Sequence, residues 1–146
     1  MKLSTKGRYG ARAMLDVATH SDEGFCHLKD IARRQEVSKK YLEHLVTRLE
    51  ASGLLRTARG AGGGVALAKA PSEITLLDIL HALEGSLAVA ECVDRPEICS
   101  RSPNCATRDV WIELGGMVSE FLKSISLEEL RERQRQKEAP ALTYSI

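Results

Sequence analysis

Residues 28–49, LKDIARRQEVSKKYLEHLVTRL, constrain the fold more than any other stretch of the chain. Two short helical patterns flank a break at residues 35–36, and Ser38 stands at an N-cap position before the second helix. Apolar residues of that helix recur at spacings of three and four, which is the pattern of one buried face. They are Leu42, Leu45, Val46 and Leu49. The pattern is typical of a helix-turn-helix, whose second helix enters the DNA major groove, and equally of an ordinary amphipathic hairpin.

A glycine-rich turn follows this motif and lies between two short strand-like runs. The runs cover residues 54–58 and 65–69, and Gly53 stands where a C-cap would end the preceding helix. The glycines do not match a phosphate loop, because no Gly-Lys-Ser/Thr follows them and the Gly-x-Gly-x-x-Gly spacing is not met. The pattern predicts a β-hairpin wing over residues 54–69. We expect Arg56, Arg59 and Gly60 to approach DNA phosphates or the minor groove.

Basic residues are concentrated in the front half of the chain. Residues 1–70 hold 13 Lys+Arg and 7 Asp+Glu, a net +6, whereas residues 71–146 hold 8 and 13, a net −5. This asymmetry favours a polyanionic partner for the front half. The candidate DNA-contacting residues lie at the start of the first helix and along the motif. They are Lys6, Arg8, Ser38, Lys39, Lys40, Glu43, His44 and Arg48.

The first helix is expected to begin at Ser4 or Thr5 and to run to about residue 20. Lys6 and Arg8 lie in its first turns, where cations oppose the helix macrodipole. An anion at this end would relieve that conflict, and a DNA phosphate would serve. A second capping pattern at Thr75 and Asp78 predicts a further helix that ends at Gly85.

Three of the four cysteines lie within fourteen residues, in the irregular segment 92–105 with the spacing C-x6-C-x5-C. No apolar run is long enough to span a membrane and no signal peptide is evident, so we expect a cytoplasmic protein with reduced thiols. Clustered thiols in that compartment favour a metal or iron–sulfur site, with a thiol switch or chance as alternatives. The spacing matches neither a zinc nor a ferredoxin pattern. Cys26 is expected to be a small packed residue.

A long helix is expected after Pro103, with Asn104 as its N-cap. Its apolar residues recur at spacings of three and four, which is a heptad seam of about two repeats. The seam residues are Trp111, Leu114, Val118, Phe121 and Ile125. Such a seam belongs either to the core of one subunit or, as we favour, to a dimer interface. Ser126 and Glu129 open a short last helix, and the charged residues beyond it predict a flexible tail over 131–146.

Taken together, the residues resemble the Rrf-two (Rrf2) family of bacterial regulators. The resemblance rests on MKLSTKGRYGARAMLDVA, on the motif with its wing, on the three-cysteine segment and on the tryptophan-containing helix, over about residues 1–130. It implies a mostly α fold with a small β-wing: a winged helix-turn-helix domain (1–75, motif 28–51) and a unit over 76–130 with the cysteine loop and dimerisation helices. It also implies a homodimer on promoter DNA, not an enzyme.

The resemblance further implies a 2Fe–2S cluster held by Cys92, Cys99 and Cys105, and base reading from positions 40, 41 and 44, which adds Tyr41 to the candidates. Glu43 matches a carboxylate that gates sequence choice, with Arg59 as a candidate partner. The cluster regulators carry a histidine at the position of Arg108, whose guanidinium cannot ligate iron. The fourth ligand therefore stays unassigned. The candidate donors are His20, His27, His81, Glu91 and Asp109.

The implied function is transcription control by cluster status, as activator or repressor, of cluster-biogenesis or related stress genes. Two alternatives stay open at this point. One is a regulator with a nitric-oxide-sensing 4Fe–4S cluster. The other is a cluster-free repressor of the same fold, controlled by thiol oxidation or by a partner protein.

Overall fold

The computed structural model describes residues 2–20, 22 and 24–140, which form seven α-helices and one two-stranded sheet. The elements are α1 Thr5–Thr19, α2 Leu28–Gln35, α3 Lys39–Ala51, β1 Leu55–Ala58, β2 Gly64–Leu67, α4 Leu76–Glu84, α5 Glu91–Asp94, α6 Ala106–Ser124 and α7 Leu127–Glu138. The strands form an antiparallel hairpin that pairs Leu55 with Leu67 and Ala58 with Gly64. The predicted fold class, mostly α with a small β-wing, is confirmed.

The helix-turn-helix forms as its sequence predicts. Glu36 ends α2 in the left-handed conformation, with φ of 56°, and turns the chain sharply. The Ser38 side chain then accepts a hydrogen bond from the Tyr41 N–H at 3.1 Å and begins α3. All four predicted apolar residues of α3 are buried. The motif is therefore fixed by a turn and a cap at one end and by core packing along its length.

Helix α1 lies very close to α4 because glycine occupies the crossing. A Cβ atom built on Gly10 would lie 2.0 Å from Cδ1 of Leu83, so any larger residue would force the buried Leu83 side chain to move. Ser4 caps α1, and its N–H donates to the Glu84 carboxylate at 3.1 Å. The core of the front half is thereby joined to α4.

Helix α7 returns the chain to this core. The Leu76 N–H donates to the Ile125 carbonyl at 2.9 Å and the Leu127 N–H donates to Ile74 at 2.8 Å, a small bridge between the starts of α4 and α7. Arg131 also donates to the carbonyl of Ala18 in α1 at 3.1 Å. The prediction of a flexible segment from residue 131 is wrong as far as Glu138, because these contacts hold the helix. Residues 141–146 of that predicted tail lie outside the described part of the chain.

A buried carboxylate connects α1 to α2. Asp16 is only 6% exposed and accepts hydrogen bonds from Arg34 Nε at 2.9 Å, Arg34 Nη2 at 2.6 Å and Gln35 Nε2 at 2.8 Å. The hydrogen bond to Asp16 is the main cause that raises the pKa of Arg34 above its ordinary value. This pair holds the first helix of the motif against α1.

We expect Asp16→Ala to lower the free energy of unfolding by about 3 kcal/mol, because it leaves the Arg34 guanidinium without its buried counter-charge. Urea denaturation followed by circular dichroism measures the loss. Asp30→Ala is the matched control: Asp30 makes a solvent-exposed ion pair with Arg33 at 3.7 Å, and such pairs contribute about 0–1 kcal/mol. Equal losses for the two variants would contradict the role given to Asp16.

Candidate nucleic-acid interface and cysteine loop

The solvent face of α3 carries charged and polar residues that meet no core residue. Lys39, Lys40, Glu43 and His44 are all exposed, beginning at the first turn after Ser38. Lys39 Nζ lies 3.9 Å from Glu43 Oε1, one turn along the helix. In the described chain, Glu43 thus forms its ion pair with Lys39. The sequence had suggested Arg59 as its partner. The carboxylate is held by a neighbour on its own helix.

Tyr41 lies differently from the sequence expectation. Its ring packs edge-on against Tyr9 of α1, with the centroids 6.2 Å apart, and its hydroxyl is buried with no hydrogen-bond partner among the described residues. Arg12 stacks on Tyr9 at 5.1 Å and donates to Gln35 at 3.0 Å. A side chain held in this way sets the position of α3 against α1. The expectation that Tyr41 reads bases is not supported by this geometry.

The wing is attached firmly at its base and exposed at its tip. Cys26 and Val65 exchange two backbone hydrogen bonds of 2.8 Å, and a Cβ atom on Gly64 would lie 2.1 Å from the Cys26 carbonyl oxygen. Arg56 donates to Leu67 at 3.3 Å and lies 4.9 Å above the Phe25 ring. Arg59 and Gly60 are exposed at the turn. The tip can therefore contact a ligand without disturbing the sheet.

Three cations expected at DNA also have neighbours within the described chain. Arg48 donates to the Leu83 carbonyl at 3.2 Å, in the last turn of α4. Arg8 lines a groove with Leu80 and Leu122, on the side of α1 that faces α4 and α6, and Lys6 is half-buried. The Glu84 carboxylate already supplies an anion at the start of α1. Arg8 and Arg48 are nevertheless exposed, so the DNA contacts expected of Lys6, Arg8 and Arg48 stay predictions.

The cysteine loop joins α4 to α6 and contains two 3-10 turns, Pro96–Ile98 and Ser102–Asn104. Cys92 lies on α5 and is half-buried, Cys99 is exposed, and Cys105 is the N-cap residue of α6. The predicted cap, Asn104, belongs instead to the preceding turn, so that prediction is one residue off. Arg108, in the first turn of α6, donates from Nε to the Cys92 carbonyl at 2.8 Å. This bond fixes α5 against the start of α6.

The environment of Cys105 favours its thiolate. Its sulfur lies 3.2 Å from Thr107 Oγ1. Hydrogen bonds from the Thr107 side chain and then from the Arg108 backbone lower the pKa of Cys105 below its ordinary value. Thiolates are the form that ligates iron and the form that reacts with oxidants.

The chemistry of the loop fits an iron–sulfur cluster. In the described residues no three His, Cys, Asp or Glu side chains converge closely enough to hold a metal ion, so the loop would have to close on loading. A cavity of about 480 Å³ lies in the loop and is lined by Cys99, Ser102 and Arg108 among others. Ser102 is 6% exposed, and its buried hydroxyl has no hydrogen-bond partner in the part of the chain described. An orphaned donor beside a thiol is a place for an acceptor.

Three of the five candidates for a fourth ligand lie near this loop, and the other two lie in the front half of the chain. Glu91 and Asp109 lie on α5 and on the first turn of α6, the elements that hold Cys92 and Cys105. His81 lines a cavity of about 390 Å³ with Val93 and Asp94. His20 contacts Asp16, and His27 is the N-cap residue of α2. The structure therefore keeps Glu91, Asp109 and His81 near the loop and places His20 and His27 in the front half.

Helix α6 presents an apolar stripe to solvent. None of its 19 residues, all of them described, is buried, and Met117 and Phe121 are 71% and 62% exposed. Val110 and Trp111 are also exposed, whereas Leu114 and Val118 are half-buried. The sequence reading missed Val110 and Met117, which the exposure shows to be part of the stripe. Contiguous exposed apolar residues of this kind mark an interaction surface.

Ile125, the last residue of the predicted seam, does not belong to this stripe. Helix α6 ends at Ser124, and Ile125 turns into extended backbone. It is 6% exposed and accepts the Leu76 N–H, so it belongs to the core of its own subunit. The predicted interface residue Ile125 is therefore corrected.

Comparisons with known proteins support the family resemblance of the sequence. A sequence model of the Rrf2 family, described as an iron-dependent transcriptional regulator, matches residues 3–133. The HTH-type transcriptional regulator IscR of Photorhabdus laumondii is 45% identical over 134 residues, which is 92% of this chain and 81% of that protein. IscR of Pectobacterium carotovorum is 42% identical over 130 residues, covering 89% and 79%.

Solved structures give the same fold. IscR of T. potens matches with a TM-score of 0.79 and 37% identity, over 96% of this chain and 93% of that one. CymR, the global cysteine regulator of B. subtilis, matches with a TM-score of 0.77 and 38% identity, over 91% and 98%. No helix in the described part of the chain combines the length and the apolar character that a membrane span requires.

Proposed function

The chain belongs to the Rrf2 family of transcriptional regulators, and from that premise we propose that it binds promoter DNA as a homodimer under the control of an iron–sulfur cluster. Cys92, Cys99 and Cys105 hold the cluster, which we take to be 2Fe–2S, and the family description as iron-dependent supports this assignment. The regulated genes serve cluster biogenesis or related stress responses. The protein acts in the cytoplasm, where its thiols stay reduced.

The observation that carries the proposal is the position of Cys105. The residue that caps α6 is a cysteine of the loop, and the same helix presents the exposed stripe around Met117 and Phe121. Any change that orders or releases the loop acts directly on the start of the helix that would pair with a second subunit. Sensing and dimer geometry are thus joined in one element.

The cysteine loop is connected to the recognition helix α3 by elements of this chain that pack on one another. When bound, a 2Fe–2S cluster supplies a redox-sensitive crosslink between the three thiolates. Arg108 holds α5 against α6, and α6 packs on α4. Helix α4 meets α1 at Gly10, and Tyr9 of α1 packs on Tyr41 of α3. Loop closure can therefore shift the two recognition helices of a dimer relative to each other, and with them the favoured operator.

On DNA, Lys40 and His44 face the major groove and Arg59 at the wing tip contacts the backbone or minor groove. We expect Arg59→Ala to weaken binding to specific and random DNA alike and to reduce the slope of log affinity against log salt by about 1. His44→Ala should instead relax base preference at particular operator positions, at about 1–3 kcal/mol. Fluorescence anisotropy on both kinds of DNA across a salt series measures these effects. Identical behaviour of the two variants would remove the proposed division between backbone and base contacts.

Anaerobic reconstitution with iron and sulfide tests the cluster assignment. The proposal expects a coloured protein with charge-transfer absorption, and iron and sulfide content with EPR of the reduced protein separates 2Fe–2S from 4Fe–4S. The lowered pKa of Cys105 also suits one alternative, a cluster-free regulator of the same fold that is controlled by thiol oxidation. A cysteine bridge found by mass spectrometry after mild oxidation, with no iron bound, would select that alternative.

A further inference from the structure

We infer that Ser102 and Arg108 donate hydrogen bonds to the sulfur atoms of the cluster, and that Arg108 acts as a donor to sulfur and not as a ligand to iron. The inference rests on the proposed function and names the residues that tune its site. It starts from two observations that are independent of each other: a buried hydroxyl without a partner, and a guanidinium already fixed to the cysteine loop.

Ser102 is the first of these. A buried hydroxyl that makes no hydrogen bond carries the full cost of leaving water, and native proteins contain few of them. Ser102 lines the 480 Å³ cavity together with Cys99, and its backbone N–H donates to the Cys99 carbonyl at 3.1 Å. Ser102 thus shares the cavity with a predicted ligand, and its hydroxyl has no acceptor among the described residues. Thiolate and sulfide sulfur atoms are acceptors of the required kind.

Arg108 is the second. Its Nε is committed to the Cys92 carbonyl at 2.8 Å, and the residue lines the same cavity as Ser102. A guanidinium has five N–H donors in a rigid plane, so one bond to the loop leaves others to face the cavity. It stays protonated and cannot coordinate iron. A cluster held by three thiolates is anionic, and the cation and donors of Arg108 complement that charge.

The chemical consequence concerns the reduction potential. Reduction adds one electron to the cluster and makes it more negative. Hydrogen bonds to the sulfur atoms and a nearby cation stabilise the reduced form more than the oxidised form, which raises the potential. Ser102 and Arg108 therefore set how readily the sensor is reduced, without ligating it.

The experiment compares reconstituted full-length wild type with Ser102→Ala, Ser102→Thr and Arg108→Gln, titrated with dithionite and followed by visible absorption and EPR. We expect Ser102→Ala and Arg108→Gln each to reduce the ratio of reduced to oxidised cluster at a fixed ambient potential by about tenfold, which is ~59 mV for one electron. Ser102→Thr keeps the hydroxyl and should restore the wild-type value. Ser72→Ala is the control, since Ser72 is an exposed serine in another 3-10 turn.

A second readout uses the protein without a cluster. Because its hydroxyl has no partner there, Ser102→Ala should leave urea stability unchanged or raise it. A Ser102 that merely held the loop together would instead lose stability in this assay. A wild type that loads a cluster whose potential is the same in Ser102→Ala and Arg108→Gln overturns this inference alone. A wild type that takes up no cluster overturns it together with the proposed function.

Discussion

Met117→Glu combined with Phe121→Glu is expected to convert the proposed dimer into a monomer and to lower operator affinity by about 100-fold or more. The two side chains are 71% and 62% exposed in the single chain, and no other element of the described structure covers them. Two charges placed there would have to be buried against the second subunit without a partner, which costs several kcal/mol. Linkage of two half-site contacts is worth about 10²–10⁴ in affinity, and a monomer loses it.

Analytical ultracentrifugation and anisotropy on a palindromic operator measure the two effects. Lys123→Glu is the matched control, because it introduces the same side chain two residues from Phe121, on the opposite side of α6. It should stay dimeric and bind as wild type does. A double variant that remains a dimer would show that the α6 stripe is not the interface.

The helix-turn-helix was the most predictable part of the fold, because its determinants are local. Ser38 accepts the Tyr41 N–H within its own turn, and the apolar spacing in α3 follows directly from the helical period. The wing was predictable for the same reason, since the glycine-rich turn at residues 59–64 dictates a hairpin. Only the exact geometry of the turn, in which Glu36 adopts the left-handed conformation, could not be predicted from the sequence.

The features that were missed depend on contacts between distant segments. Asp16 and Arg34 are eighteen residues apart, and nothing in either local sequence indicates a buried pair. The stripe on α6 differs from the predicted seam because α4 covers one side of the helix and leaves Val110 and Met117 outside. Charged composition predicted a flexible tail from residue 131, yet packing of α7 against α1 through Arg131 decides the outcome.

The sequence led to a prediction of which cysteines are ligands, but it gave no geometry for them. The clustering of the cysteines indicated a metal site, and the family resemblance implied Cys92, Cys99 and Cys105 as its ligands. Only the structure shows Cys105 at the N-cap of α6 and Arg108 bonded to the Cys92 carbonyl. The sequence offered five candidates for a fourth ligand, and the fold keeps three of them near the loop. When a site forms by closure of a loop around a bound cluster, its geometry cannot be predicted from the sequence alone, because the cluster supplies some of the contacts.

Cys92→Ala is expected to prevent cluster assembly and to make operator affinity identical with and without iron and sulfide. Wild type should change its affinity by about 5-fold to 150-fold between the two forms, the usual range of coupling between two sites. Visible absorption after anaerobic reconstitution and anisotropy on the same samples measure loading and affinity together. Cys26→Ala is the control: Cys26 lies outside the loop, at the base of the wing, and should leave loading intact.

Within the described residues, α5 packs mainly on α6 and on the turn Pro96–Ile98. Cys92 lies on α5, which α6 holds through Arg108. The Cys92→Ala change therefore removes one thiolate and leaves the hydrogen bond from Arg108 Nε to the carbonyl of residue 92 in place. If regulation of operator affinity is lost although this hydrogen bond remains, the loss is due to the missing cluster ligand and not to a change in loop folding. An operator affinity of the wild type that is the same with the cluster bound and removed would refute control by the cluster, even if DNA binding itself were tight.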